Sequence, residues 1–208
     1  MLEDKELEII KQNVERLMKE EKIIVDKKDK GRFTNFFLEN SRKSFDSAKL
    51  LTELSDRKEL QEKLGYPNFD GYLWVINSSY YSMFYMTRAL LENSGVKIKT
   101  DSSTQSIHQL TFQAIVYFFY LNKRLEKKLI EDFHEASIEA GEILGKEKAR
   151  KLIEEYESEK EKRAKFTYEL GQIAMQNKAR TSLERAKFFN QEIKKILQGL
   201  KEVMEKGH

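Results

Sequence analysis

The chain has 208 residues, 35% of them charged and 39% hydrophobic, with one proline, nine glycines and no cysteine. That length suits one domain with at most a terminal extension, and the lack of cysteine excludes a disulfide scaffold, thiolate catalysis and cysteine-ligated zinc or iron–sulfur centres. A net charge of +3, from 38 basic and 35 acidic residues, is not by itself the footprint of a nucleic-acid binder.

Proline breaks helices, so its scarcity beside abundant Lys, Glu, Leu and Ala predicts long helices. The first runs from about Leu2 to Lys22. Leu7, Ile10, Val14 and Leu17 make one apolar seam on an otherwise charged rod, which packs on the main body or on a second copy. Ile23, Ile24 and Val25 favour extended backbone, and Asp26–Gly31 reads as a turn. A second helix spans about Phe33 to Ser55, with Phe33, Phe37, Phe45, Ala48 and Leu51 close to one face. Asp56–Leu64 reads as a short helical continuation, and Gly65–Gly71 as a loop.

The next helix, Gly71 to Asn93, is apolar or aromatic over most of its circumference. Trp74, Tyr80, Tyr81, Phe84, Tyr85, Leu90 and Leu91 make it the central helix, and Asn93-Ser94-Gly95 stops it. Val96–Gln105 reads as a polar loop. Ser106 is a candidate N-cap for a helix through about Leu121. Two further helices are expected, Lys123–Gly141 and Lys146–Leu170, with a break or kink at Gly171–Asn177. The last, Lys178 to Glu205, carries Leu183, Ala186, Phe189, Ile193 and Leu197 as a stripe. Gly71–Thr87 and Ser102–Asn122 lack charge, but their Ser, Asn, Gln and His suit buried helices better than membrane spans. The charged N-terminus is unlike a signal peptide. The expectation is an all-α bundle in a soluble, cytoplasmic protein.

Chemistry-bearing residues are few. The histidines are His108, His134 and His208. Glu131 and His134 form one Glu-x-x-His, the spacing of di-iron bundles, but such sites need two motifs and two further glutamates. The reading adopted is a solvated acidic face, with no metal and no cofactor. No Gly-rich phosphate loop, nucleophile elbow or zinc-protease helix occurs. Ser106 near His108 is explained by capping, and the aromatic runs at 80–85 and 117–120 read as core. Between Lys160 and Lys187, eight basic residues (Lys160, Lys162, Arg163, Lys165, Lys178, Arg180, Arg185, Lys187) face three acidic ones. This stretch reads equally as a phosphate-attracting surface or as an ordinary solvated face.

Several segments resemble the HEPN domain family of small prokaryotic helical proteins. Ser44–Leu51 fits the family's early Ala-x-x-Leu-like helix. Tyr80-Tyr81-Ser82-Met83-Phe84-Tyr85-Met86-Thr87-Arg88-Ala89-Leu90-Leu91 is similar to its Tyr-Tyr-x-Met-Phe signature, the most specific match. Ser106-Ile107-His108 falls in the expected order, and Ala179–Phe189 is similar to the final helix. The resemblance covers about Phe33 to Leu200. It implies a HEPN-like helical bundle over residues 31–208, preceded by an extra N-terminal helical extension over residues 1–30.

The same resemblance implies a homodimer with functional residues near its interface. Many members are metal-independent endoribonucleases of toxin–antitoxin, CRISPR and other defence systems, and others are non-catalytic. Active members carry Arg, four to six residues, then His, the arginine holding the scissile phosphate while the histidine moves a proton. Here Arg163 is retained and Tyr168 stands in the histidine's place, a pattern similar to an uncharacterised branch. Bringing a tyrosine from its unperturbed pKa of about 10 to neutrality costs about 4 kcal/mol. The sequence therefore points first to a dimeric binding module, non-catalytic or weakly active, with RNA or a nucleotidyltransferase antitoxin as partner. Its RNA-facing residues would be Lys160, Lys162, Lys165, Lys178, Arg180 and Arg185. The alternatives are a metal-independent endoribonuclease centred on Arg163, with Tyr168 or a histidine brought in by the fold, and a structural adaptor that never meets nucleic acid.

Overall fold

A computed structural model describes residues 3–99, 106–154 and 164–205, with side chains for 3–99, 106–143 and 173–200. Its elements run α1 (Asp4–Lys19), β1 (Ile23–Val25), α2 (Thr34–Asp56), α3 (Lys58–Lys63), α4 (Tyr72–Asn93), β2 (Val96–Ile98), α5 (Ile107–Ile115) with a π turn (Val116–Tyr120), α6 (Lys127–Glu154) and α7 (Ala164–Glu205). The predicted all-α bundle is the architecture found. No helix among the described residues is long and apolar enough to cross a membrane.

Helix α4 is the axis, with α2, α6 and α7 packed around it. Its inward residues, Val75, Met83, Ala89 and Leu90, are fully buried. Where α2, α4 and α7 meet, the chain uses small polar residues. Ser41 Oγ donates to the Ser82 carbonyl at 2.8 Å, Ser82 Oγ donates back to the Ser41 carbonyl at 2.9 Å, and Asn190 Nδ2 donates to Ser82 Oγ at 2.7 Å. Small side chains let these backbones approach closely, and the reciprocal bonds satisfy hydroxyls that would otherwise be buried at a cost of about 1–3 kcal/mol each.

The α1 seam packs on the main body. Ile10, Val14 and Leu17 are buried in the same cluster as Leu110, Ile115 and Phe119, with α1 lying against α5 and the π turn. Ser106 caps α5, its hydroxyl accepting from the Gln109 N–H at 3.2 Å.

Three expectations are corrected. Val96–Ile98 is not loop: it pairs antiparallel with β1, Ile23 opposite Ile98 and Val25 opposite Val96. Gly95 makes this possible, since its φ of +81° stops α4 and a Cβ there would lie 2.5 Å from the Asp26 carbonyl oxygen. Second, the expected break after Gly141 is absent, and α6 continues to Glu154. A lone glycine costs a helix only about 1 kcal/mol, which burial of Ala136, Ala140 and Ile143 outweighs. Third, α7 runs unbroken through Gly171–Asn177, a stretch without proline. Two aromatic side chains also lie outside the expected core, Phe33 at 47% and Trp74 at 52% exposure.

Candidate binding site

Helices α2 and α7 both lie on α4 but separate from each other along a groove of about 690 Å³. Thr34, Leu38, Ser41 and Phe45 recur at intervals of four, three and four along α2. Lys187, Asn190, Lys194 and Leu197 recur at intervals of three, four and three along α7, and Met86 of α4 forms the floor. Three turns of each helix therefore line a trough about 16 Å long. Its walls are mainly apolar, from Leu38, Phe45, Met86 and Leu197.

The groove's charges differ from wall to wall. On α2, Arg42 is committed to Glu39 at 2.9 Å and Asp46 at 2.8 Å; the Arg42 bond holds the Glu39 carboxyl below its usual range. On α7, Lys187 has among the described residues only a distant 3.8 Å contact with Glu184, and Lys194, two turns on, is exposed. The α7 wall thus offers positive charge beside apolar surface. Two buried atoms of the lining, Thr34 Oγ1 and Asn190 Oδ1, have no hydrogen-bond partner among the described residues.

A second polar cluster lies on the far flank of α4. Tyr80 Oη and His108 Nδ1 are 2.7 Å apart, and Ser137 Oγ donates to Tyr80 Oη at 3.5 Å. Burial pushes the Tyr80 phenol up to about 12 and lowers the His108 imidazole, so both are neutral at pH 7. A hydrogen bond joins Tyr80 Oη and His108 Nδ1, the donor being set by the imidazole tautomer. The His108 ring lies 4.5 Å from Phe84 between centroids, which makes it part of an aromatic wall. His134 stacks on Phe112 at 4.9 Å, and Glu131 faces Lys127 at 3.8 Å; among the described residues no three potential ligands gather around a metal position.

The residues singled out from sequence fall in different places. Arg163, Lys160 and Lys162 lie outside the described residues, and Lys165 and Tyr168 are described only as backbone in the first turns of α7. Lys178 is exposed. Arg180 is half-exposed and donates to Asp56 Oδ2 at 3.0 Å. That carboxylate also accepts from Tyr72 Oη at 2.6 Å and Gln176 Nε2 at 3.0 Å. Burial alone would raise the Asp56 carboxyl, but these three donors hold it below its usual range, and the cluster ties α7 to the end of α2.

Arg185 is not on an open basic face. Its side chain is 12% exposed, bonded to Glu139 at 2.8 Å and Glu135 at 3.0 Å, with Asp132 at 4.0 Å. With two close carboxylates already on it, this guanidinium belongs to the α6–α7 joint and is not free for a phosphate. Sequence reasoning missed Leu38, Ser41, Asn190 and Lys194. The signal was the four-three spacing shared by α2 and α7, but the facing of those stripes across Met86 is a tertiary fact. Compared with protein-family models, with curated proteins and with solved structures, the chain finds no match in any of the three.

Proposed function

We propose that the chain is a HEPN-like dimeric binding module, non-catalytic or weakly active, of a toxin–antitoxin or RNA-related defence system, with RNA or a nucleotidyltransferase antitoxin as its partner. The observation that supports this reading is the α2–α7 groove, where an apolar floor lies beside Lys187 and Lys194. Apolar walls take up unstacked bases or a partner's side chains, and lysines at the rim neutralise phosphates or carboxylates. The His108 imidazole, bound to Tyr80, serves packing. Arg185, held by carboxylates, serves the α6–α7 joint.

The test uses a mixed, labelled RNA pool with EDTA present. The wild type is expected to bind RNA in a salt-dependent way without cutting it. A Lys187→Glu, Lys194→Glu double variant should bind more weakly, with the slope of log K against log salt reduced by about 2. Metal-independent cutting that disappears in Arg163→Ala would overturn the reading in favour of the endoribonuclease. Failure to bind either RNA or a nucleotidyltransferase would leave the structural adaptor.

A further inference from the structure

The trough between α2 and α7 carries a charge pattern that one kind of occupant matches. Its two helices run antiparallel. Asp56, at the end of α2, bonds Gln176 and Arg180, whereas Ser41, about four turns earlier, meets Asn190 of α7 through Ser82. That register sets Leu38 near the level of Lys194, and Phe45 near that of Lys187. The two lysines are seven residues apart, so they stand on one face of α7 about 10.5 Å from each other. Both are exposed. The residues one turn from Lys194, which are Asn190, Gln191, Leu197 and Gln198, are all uncharged. The α2 wall is neutral by contrast, since Arg42 and Lys43 are taken up by Glu39 and Asp46.

We propose that the trough receives an amphipathic helix of a partner protein, apolar along one stripe and carrying two carboxylates seven residues apart on the edge that meets α7. This rests on the reading above that the groove is the partner's site, and of the two partners named there it commits to a protein. Three features favour a helix over a nucleic-acid strand. A length of about 16 Å is three helical turns, and a helix laid between two others on a common support packs ridge into groove. The lining is mainly aliphatic: Phe45 is its one aromatic residue, so successive bases would find a single ring to stack on. The free positive charge is confined to one wall, and Glu39 on the other would repel the phosphates of a strand filling the trough. The exposed amides of Asn35, Gln191 and Gln198 complete a polar rim around an apolar centre, the anatomy of a protein interface.

The probe is a fluorescein-labelled helical peptide of about 15 residues, long enough to span the trough, with leucines at four-three spacing and two glutamates seven apart beside them. A second peptide carries lysines in place of the glutamates. Read by fluorescence anisotropy with the full-length chain, the glutamate peptide should bind at least about tenfold more tightly than the lysine peptide, and less tightly as salt rises. The Lys187→Glu, Lys194→Glu double variant should reverse that preference while keeping the wild type's circular dichroism, since both positions are exposed. Proline in place of the central leucine should abolish binding, because it breaks the helix. No binding of either peptide, equal binding of both, or a preference that the double variant does not reverse would overturn the proposal. If the double variant then still loses RNA affinity, the groove reading survives as a nucleic-acid site. If instead it changes the chain's own sedimentation, the occupant is a second copy. If neither peptide nor RNA responds to the groove variants, the groove reading falls as well.

Discussion

Arg185 shows how far one side chain's surroundings can depart from its sequence neighbourhood. In the chain it belongs to a basic run; in the fold it lies among Asp132, Glu135 and Glu139. Burial raises the Asp132 carboxyl despite the pull of Arg185, so this joint is balanced rather than strongly ionic. Arg185→Ala would leave carboxylates without their counter-ion, at a cost of about 2–3 kcal/mol once the exposure of Glu135 is discounted. Urea unfolding should register that loss, while RNA affinity, on the groove reading, stays at the wild-type value. His108 gives a pH signature. Burial lowers its folded pKa below 6.5, so between the two pKa values the unfolded chain binds the extra proton. The stabilisation is therefore complete above about pH 6.5 and is lost as pH falls through that value towards the folded pKa. Denaturant midpoints of the wild type should drop between about pH 7.5 and pH 5.5, and His108→Gln should show a smaller drop.

At the level of elements, α1 was legible because its seam is long and periodic: Leu7, Ile10, Val14 and Leu17 repeat through three turns. Burying Ile10, Val14 and Leu17 against α5 is worth about 1.5–3 kcal/mol per side chain, a large share of a typical 5–15 kcal/mol total. Deleting residues 1–22 should therefore give a chain that melts without cooperativity and binds a hydrophobic dye, read by circular dichroism and fluorescence. Other elements were not legible for physical reasons. Val96-Lys97-Ile98 is too short to show alternation, and it is a strand only because β1 lies beside it. The helices α6 and α7 outran their expected ends because glycine's weak penalty was read as a stop. The groove was invisible because Ser41, Met86 and Asn190 come from three helices, and no local pattern states which faces meet. The same holds for Asp56, whose partners Gln176 and Arg180 are supplied by the far end of the chain.

Across the whole molecule, α4 organises two distinct surfaces. One holds α2 and α7 through the serine–asparagine contacts, and the other holds the aromatic wall with His108. These explain why Tyr80–Leu91 is rich in aromatic and small polar residues: each side of the helix makes a different demand. The two-stranded ribbon adds a constraint of another kind. Pairing Ile23 with Ile98 joins segments about 75 residues apart, whereas α2, α3 and α4 are neighbours in sequence. Contacts between neighbours close first, and each doubling of a loop adds only about 0.6 kcal/mol to its closure. The ribbon is therefore expected to close on an α2–α4 hairpin already formed, with α1 following; amide protection that arises in α2 and α4 before α1 during refolding would show this order. On that order α1 is among the last pieces seated, although it precedes α2 to α7 in the chain.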